Sequence, residues 1–331
     1  MIKRRCKKIM AVFMMAAFVM TNIGCATQKT EDIQGNAPQE QQAQNKDNEA
    51  EKSQDVEEIS AADKWGIEEF TYVMIPGEDD EKAVQLRNNM CDDLSEVIGI
   101  PVSVYMATDY NAAVEALRTG NAQMAYLGPF SYVTAVDRAG AECMCVTGTE
   151  GEIGYQSYII TQPDSDINSL EDLEGKSFGF VDPSSTSGNV VPCNDLLTNL
   201  ALDCSFDELH IDGNFFGAVT YTGNHLNSIQ AVVQGNVDAA AVSSSTLRDQ
   251  IEKGNVEEDS FKIIHKSDYI PGSPVCIQKD LPEELKQMVE EFLLAYDDEA
   301  YFGGANKGYV AIEDSDYDII RELQQKFGLT D

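Results

Sequence analysis

Residues 181–192 read VDPSSTSGNVVP. The stretch follows the apolar alternation Ser177-Phe178-Gly179-Phe180-Val181, the pattern of a buried strand, and precedes residues 193–202, where Leu196, Leu197 and Leu200 have helical spacing. A hydroxyl-rich segment therefore joins a strand end to a helix start. Ser185, Thr186 and Ser187 offer three hydroxyls, Gly188 permits close backbone approach, and a helix's first turn has N–H groups without intrahelical partners. Such donors converge with the positive end of a helix dipole into an anion site. An ordinary Ser/Thr cap needs one hydroxyl, not three followed by glycine. Pro192 is tolerated in a first helical turn, which predicts Asn189 as the N-cap and leaves the Ser-Thr-Ser-Gly run as loop.

Outward from this segment the chain alternates strands and helices. Strand 70–75 leads to a loop with Glu78, Asp79 and Asp80, and then to a helix ending near Ile98. Strand 102–106 precedes Asp109-Tyr110 at a helix head, and strand 124–127 precedes Gly128-Pro129, which opens another helix containing Ser131. Repeated β-α-β units predict mostly parallel sheets with ligands at the carboxyl ends of the strands, where Tyr110, Tyr126 and Ser131 fall. Residues 110–126 (YNAAVEALRTGNAQMAY) and 225–241 (HLNSIQAVVQGNVDAAA) share Gly-Asn at the same offset. Tyr110 and His225 each stand ten residues before that glycine, so two similar lobes with facing helix heads are expected. The chain should cross between lobes near 155–161 and return near 267–274. Helices over 282–296 and 319–327 are expected to pack on the first lobe.

The amino terminus carries Lys3, Arg4, Arg5, Lys7 and Lys8, an apolar run from Ile9 to Met20, and then Ile23-Gly24-Cys25-Ala26. This is an export signal ending on a cysteine, so residues 1–25 are expected to be removed and Cys25 lipidated, anchoring the protein to the membrane. The run is too short to span a bilayer. Residues 26–63, rich in Gln, Glu, Asn and Asp and free of aromatics, read as a disordered tether. Removing five bases and no acid takes the formal charge from −34 to −39. Nucleic acid and anionic lipid are poor partners for such a surface, and an anion site within it must work through local donors. Cys91, Cys143, Cys145, Cys193, Cys204 and Cys276 fit no zinc spacing and read as buried thiols, with Cys193–Cys204 the pair to examine for a disulfide. No cofactor or metal is expected.

Several segments resemble, in order, the substrate-binding proteins of phosphate, phosphite and phosphonate ABC transporters, the PhnD-like group. They are Asp109-Tyr110, Gly154-Tyr155-Gln156-Ser157, Asp164-Ser165, Leu170 to Lys176, Asp182-Pro183 with Ser185 to Gly188, Asn224-His225, Gly235 to Asp238, and Ser267 with Ile270-Pro271-Gly272. The resemblance implies a two-lobed α/β fold of the type 2 periplasmic-binding kind, with residues 64–157 plus 268–331 as lobe 1 and 158–267 as lobe 2. It implies that Tyr110, Tyr155, Ser185, Thr186, Ser187 and His225 hold a phosphorus oxyanion between the lobes, with Tyr126 and Ser131 as further lining candidates. It also implies delivery to an ABC permease and its ATPase by a monomer. His225 is expected to donate one hydrogen bond, or two if protonated. Members that take aminoalkyl phosphonates carry acidic residues where this chain has Ser245 and Ser273, so a ligand without an amine is expected. A sulfonate or thiamine-precursor ligand, or a sensing role without transport, are the alternatives. An enzyme would need Ser185 or Ser187 with His225 and Asp238, but no Gly-x-Ser-x-Gly frames either serine, and Asp238 reads as structural.

Overall fold

The computed structural model describes residues 59–77, 80–148, 153–303 and 307–330. The expected signal segment, Cys25 and most of the tether lie outside them. The tether's expected end at residue 63 is too late: Ser60 caps a short helix, α1 (Ala61–Trp65), and Trp65 is buried with its indole N–H donating to Ile98 O at 2.7 Å.

From there the elements run β1 (Phe70–Met74), α2 (Glu81–Ile98), β2 (Val102–Met106), α3 (Tyr110–Arg118), β3 (Met124–Tyr126), α4 (Pro129–Ala139) and β4 (Glu142–Gly148). A two-residue strand β5 (Gly154–Tyr155) follows, then β6 (Ser157–Thr161), β7 (Ser177–Phe180), α5 (Val191–Asn199), β8 (Ala218–Tyr221), α6 (His225–Val233), β9 (Ala239–Ser243), α7 (Ser244–Glu252) and β10 (Lys262–Lys266). The chain closes with β11 (Ile270–Pro271), β12 (Pro274–Ile277), α8 (Glu283–Ala295), α9 (Glu299–Phe302), β13 (Gly308–Ala311) and α10 (Asp318–Phe327).

These strands form a six-stranded sheet in the order β13-β4-β12-β3-β1-β2, a five-stranded sheet β10-β6-β9-β7-β8, and the ribbon β5-β11 between them in sequence. The two larger sheets repeat one design. Each has a parallel trio, β2-β1-β3 or β8-β7-β9, extended by antiparallel strands that carry the chain to or from the other sheet, β12 and β4 in one and β6 and β10 in the other. The sheets are therefore mixed rather than mostly parallel, because the crossing strands β6 and β12 enter each sheet against the direction of its trio. The lobe division expected after residue 157 also needs adjustment, since Ser157 already pairs with Ser243 in the second sheet. The crossing lies at β5 and β11, where a Cβ on Gly154 would meet Ile270 O at 2.8 Å and one on Gly272 would meet Ile153 O at 2.4 Å. Backbones this close admit only glycine.

One contiguous cluster of buried apolar residues runs through both sheets, from Val73 and Ala125 to Ile159, Phe178 and Ala239. The two lobes are thus in contact. The helix α8 lies on the first sheet, with Leu285, Val289 and Leu293 buried beside Met144 and Val275. In contrast, α10 serves both lobes. Gln324 donates to Asp137 of α4 at 3.1 Å, while Lys326 donates to Asn194 of α5 at 2.7 Å and Phe327 stacks on Phe206 of the second lobe at 4.9 Å. The expected packing on the first lobe holds through α4, and the C-terminal turn also carries residues that reach the second lobe. Replacing Phe327 by alanine should cost about 2 kcal/mol, the worth of burying most of an aromatic side chain. It should also enlarge the radius of gyration of the ligand-free protein in small-angle scattering, and no change in either urea stability or radius would deny α10 a bridging role.

Candidate functional site

The carboxyl ends of the two parallel trios bring the expected residues together. Asp109 caps α3 by accepting from Ala112 N at 2.7 Å, and Asn224 caps α6 by accepting from Asn227 N at 2.8 Å, so Tyr110 and His225 occupy the same first position of equivalent helices. Each helix runs into a glycine with positive φ, Gly120 or Gly235, before the next strand. Side chains at the two heads consequently project from the same place in each lobe.

The segment after β7 departs from its expected form. Asn189 does not cap a helix. Residues Thr186–Val190 form a wide π-type turn capped by Ser185, whose hydroxyl accepts from Gly188 N at 3.1 Å, and Val190 N donates to Ser185 O at 3.1 Å. Pro192 explains the widening. It has no N–H to offer the carbonyls one turn back, and these take other partners: Ser187 O accepts from the Ser157 hydroxyl at 2.6 Å and Gly188 O from Val181 N at 3.0 Å. Gly188 is needed because a Cβ there would meet Val181 Cγ2 at 2.3 Å. The close approach permitted by glycine is to the strand end.

Within this arrangement the direction of each donor follows from what its oxygen or nitrogen already accepts. Thr186 Oγ1 accepts from Phe130 N of the other lobe at 2.8 Å, so its proton points elsewhere. His225 Nδ1 accepts from Ser243 N at 3.0 Å, which places the ring proton on Nε2, 3.4 Å from Ser187 Oγ. Burial holds His225 down to about 4. In this neutral form it donates one bond, from Nε2. Burial pushes Tyr155 up to about 12 although hydrogen bonding to Ser187, Ser273 and Thr186 opposes it, and Tyr110, bonded to Ser185, is raised further by the same cause. Burial also raises Tyr126, which bonds to Ser273. The resulting lining of hydroxyls and one neutral imidazole is uncharged and rich in donors, the chemistry that receives a small oxyanion.

Other candidates stand differently. Ser131 is fully buried, but its hydroxyl donates to Ser184 O at 3.0 Å, so it fastens the first lobe to the loop instead of facing a ligand. Asp238 accepts from Ser177 N and Oγ at 2.8 and 2.7 Å, a structural use that excludes it from a triad. Ser245 is exposed and pairs with Ser243 Oγ at 2.7 Å, whereas Ser273 lies beside Tyr126 and Tyr155. Glu78 and Asp79 lie outside the described residues, and Asp80 caps α2 through Ala83 N. Cys193 and Cys204 are free thiols, as are the other four cysteines of the described residues. Among the described residues no cluster of His, Cys, Asp and Glu could hold a metal, and no helix is long and apolar enough to cross a membrane.

Sequence reasoning missed Asp182. Its carboxyl group, raised by burial, accepts from Ser184 N at 2.8 Å and from Tyr110 N, tying the loop to the head of α3 across the cleft. The Asp-Pro pair was visible, but nothing local says that its partner lies seventy residues away.

Comparison with known proteins places the chain in a family. The family model described as "ABC transporter, phosphonate, periplasmic substrate-binding protein" matches residues 72–317. The chain is 30% identical over 275 residues to the phosphate-import protein PhnD of Mycolicibacterium smegmatis, covering 77% of this chain and 85% of the relative. It is 31% identical over 210 residues to the phosphonates-binding periplasmic protein of Escherichia coli, covering 62% and 59%. A crystal structure of a binding-protein component of an ABC phosphonate transporter from Pseudomonas aeruginosa superposes with a TM-score of 0.68 at 25% identity, covering 78% of this chain and 86% of that one. This chain belongs to the family of periplasmic substrate-binding proteins of phosphonate ABC transporters, two-lobed solute-binding components that are not enzymes.

Proposed function

We propose that the cleft captures a small phosphorus oxyanion without an amine, such as phosphate, phosphite or methylphosphonate, and delivers it to an ABC permease and its ATPase. The observation that carries the reading is the uncharged lining: Tyr110, Tyr126, Tyr155, Ser185, Thr186, Ser187 and the single Nε2–H of His225 converge from both lobes. Hydroxyl and imidazole donors suit tetrahedral oxygens, and charge-assisted bonds of this kind are the strong ones. Lobe 1 comprises residues 60–156 with 268–331 and lobe 2 residues 157–267 in this proposal. The mature protein is a monomer held to the outer face of the membrane by a lipid on Cys25. The names of the relatives, one a phosphate importer and one a phosphonate binder, support the ligand class.

Exclusion of amines follows from the same lining. Ser273 supplies a hydroxyl where an ammonium would need a carboxylate. A buried ammonium without a partner would cost several kcal/mol. Calorimetric titration with phosphate, phosphite, methylphosphonate and 2-aminoethylphosphonate should give weakest binding for the last, and tightest binding for it would overturn the amine-free reading.

Thr186 tests the site directly. Thr186→Val keeps the volume but removes a donor to the ligand and the acceptor for Phe130 N, which solvent satisfies when the lobes part. Binding should weaken by about 1.5 to 3 kcal/mol, with little effect on urea stability. Wild-type affinity in this variant would reduce the loop to a helix cap.

A further inference from the structure

Behind the anion loop stands a histidine that the binding reaction does not touch. Asn189 is buried, and its amide Nδ2 donates to Pro183 O at 2.8 Å, which fixes the side chain so that Oδ1 faces His210 Nε2 at 2.7 Å. The other ring nitrogen, Nδ1, faces Phe206 O at 3.0 Å. Both partners are acceptors. A neutral imidazole has one N–H and can satisfy one of them, leaving a lone pair against the other; only the imidazolium donates to both. Turning the Asn189 amide over does not help, because it would set Oδ1 against the Pro183 carbonyl.

We infer that His210 is a positioning residue whose protonated form clamps the π-type turn through Asn189, so that anion capture in the cleft is coupled to proton uptake at His210. The inference deepens the anion-site reading and rests on it. The surroundings oppose the proton in the empty protein. His210 packs on Phe180 at 4.6 Å, Phe206 at 5.0 Å and Tyr221 at 5.9 Å, with Cys193 Sγ at 3.6 Å, and this burial lowers its pKa from the usual histidine value. The Phe206 carbonyl and the carboxylate Asp207 on its own turn act the other way. Tyr221 is itself raised to about 12 by burial, and burial raises Cys193 strongly, so neither supplies a charge near neutral pH. Near pH 7 the empty protein therefore holds His210 mostly neutral with one of its two acceptors unmet. An anion seated on the far side of the loop adds a negative charge that favours the imidazolium, and the second hydrogen bond then closes.

The sign follows from linkage. Binding that takes up a proton strengthens as pH falls toward the pKa of His210, which lies below the usual value. A full proton would give tenfold per pH unit, so partial uptake predicts roughly three- to tenfold tighter binding between pH 7.5 and 5.5, measured relative to a variant lacking the titration. His210→Gln is that variant, since its amide can still donate to Asn189 without titrating. Calorimetry with inorganic phosphate and with methylphosphonate, in two buffers of different ionisation heat, should show greater proton uptake for the wild type than for H210Q; the ligand's own titration cancels in this comparison. Equal uptake and parallel pH profiles would overturn the proposal. Long-range nitrogen–proton NMR of the imidazoles provides a second reading in the ligand-free wild type. His210 should pass from one N–H to two as pH falls, with the amides of Ser185 to Gly188 shifting in step. A ring that titrates without moving those amides would also overturn the coupling. If neither anion binds, the proposed function fails while the NMR arm still decides whether His210 governs the loop.

Discussion

The proposed site holds an anion without a positive charge, and the rest of the structure serves that constraint. The full chain has a formal charge of −34, so its long-range field repels what the cleft is built to hold. Attraction must come from dipoles at hydrogen-bond distance. Those dipoles act only if they are aimed beforehand, because a hydroxyl that can turn to water or a neighbour contributes little. The fold aims them by occupying the other side of each group: Phe130 N on Thr186 Oγ1, Gly188 N on Ser185 Oγ, and Ser243 N on His225 Nδ1.

The same requirement draws both lobes into the site. The donor to Thr186 comes from the opposite lobe, as does the Ser131 hydroxyl on Ser184 O, and Asp182 of the second lobe receives the N–H of Tyr110 from the first. Loop geometry and lobe contact are therefore one equilibrium. Parting the lobes would break these bonds and free the hydroxyls to rotate. The ribbon β5-β11 at the crossing is short and pressed together at its glycines.

The alternation of elements and the equivalence of Tyr110 and His225 were legible because they are local: a cap, nine helical residues, a left-handed glycine and a strand, written twice. Hydroxyls clustered after a strand were legible for the same reason. What could not be read was set by distant partners. Asn189 looked like an N-cap because Pro192 suits a first turn, but the carbonyls that Pro192 leaves open are claimed by Ser157 and Val181, and this tertiary demand widens the turn. The tautomer of His225 depends on a backbone N–H eighteen residues away, and the role of Ser131 on a carbonyl fifty-three residues away. The antiparallel strands escaped notice because an apolar run does not disclose the direction of its neighbour.

Asp182 shows why an acidic group can belong beside such a site. A carboxylate near a bound anion is unfavourable by Coulomb's law, and burial raises its pKa further. Its two backbone donors offset that cost, since N–H groups at a helix head and in a tight turn are strong partners for a carboxylate. The benefit is selective. By occupying the N–H of Tyr110, while Asp109 occupies that of Ala112, the carboxylates weaken the dipole end of α3 as a general anion trap. Two of the free N–H groups of that first turn are thereby used, and the Tyr110 hydroxyl adds a donor with a defined direction.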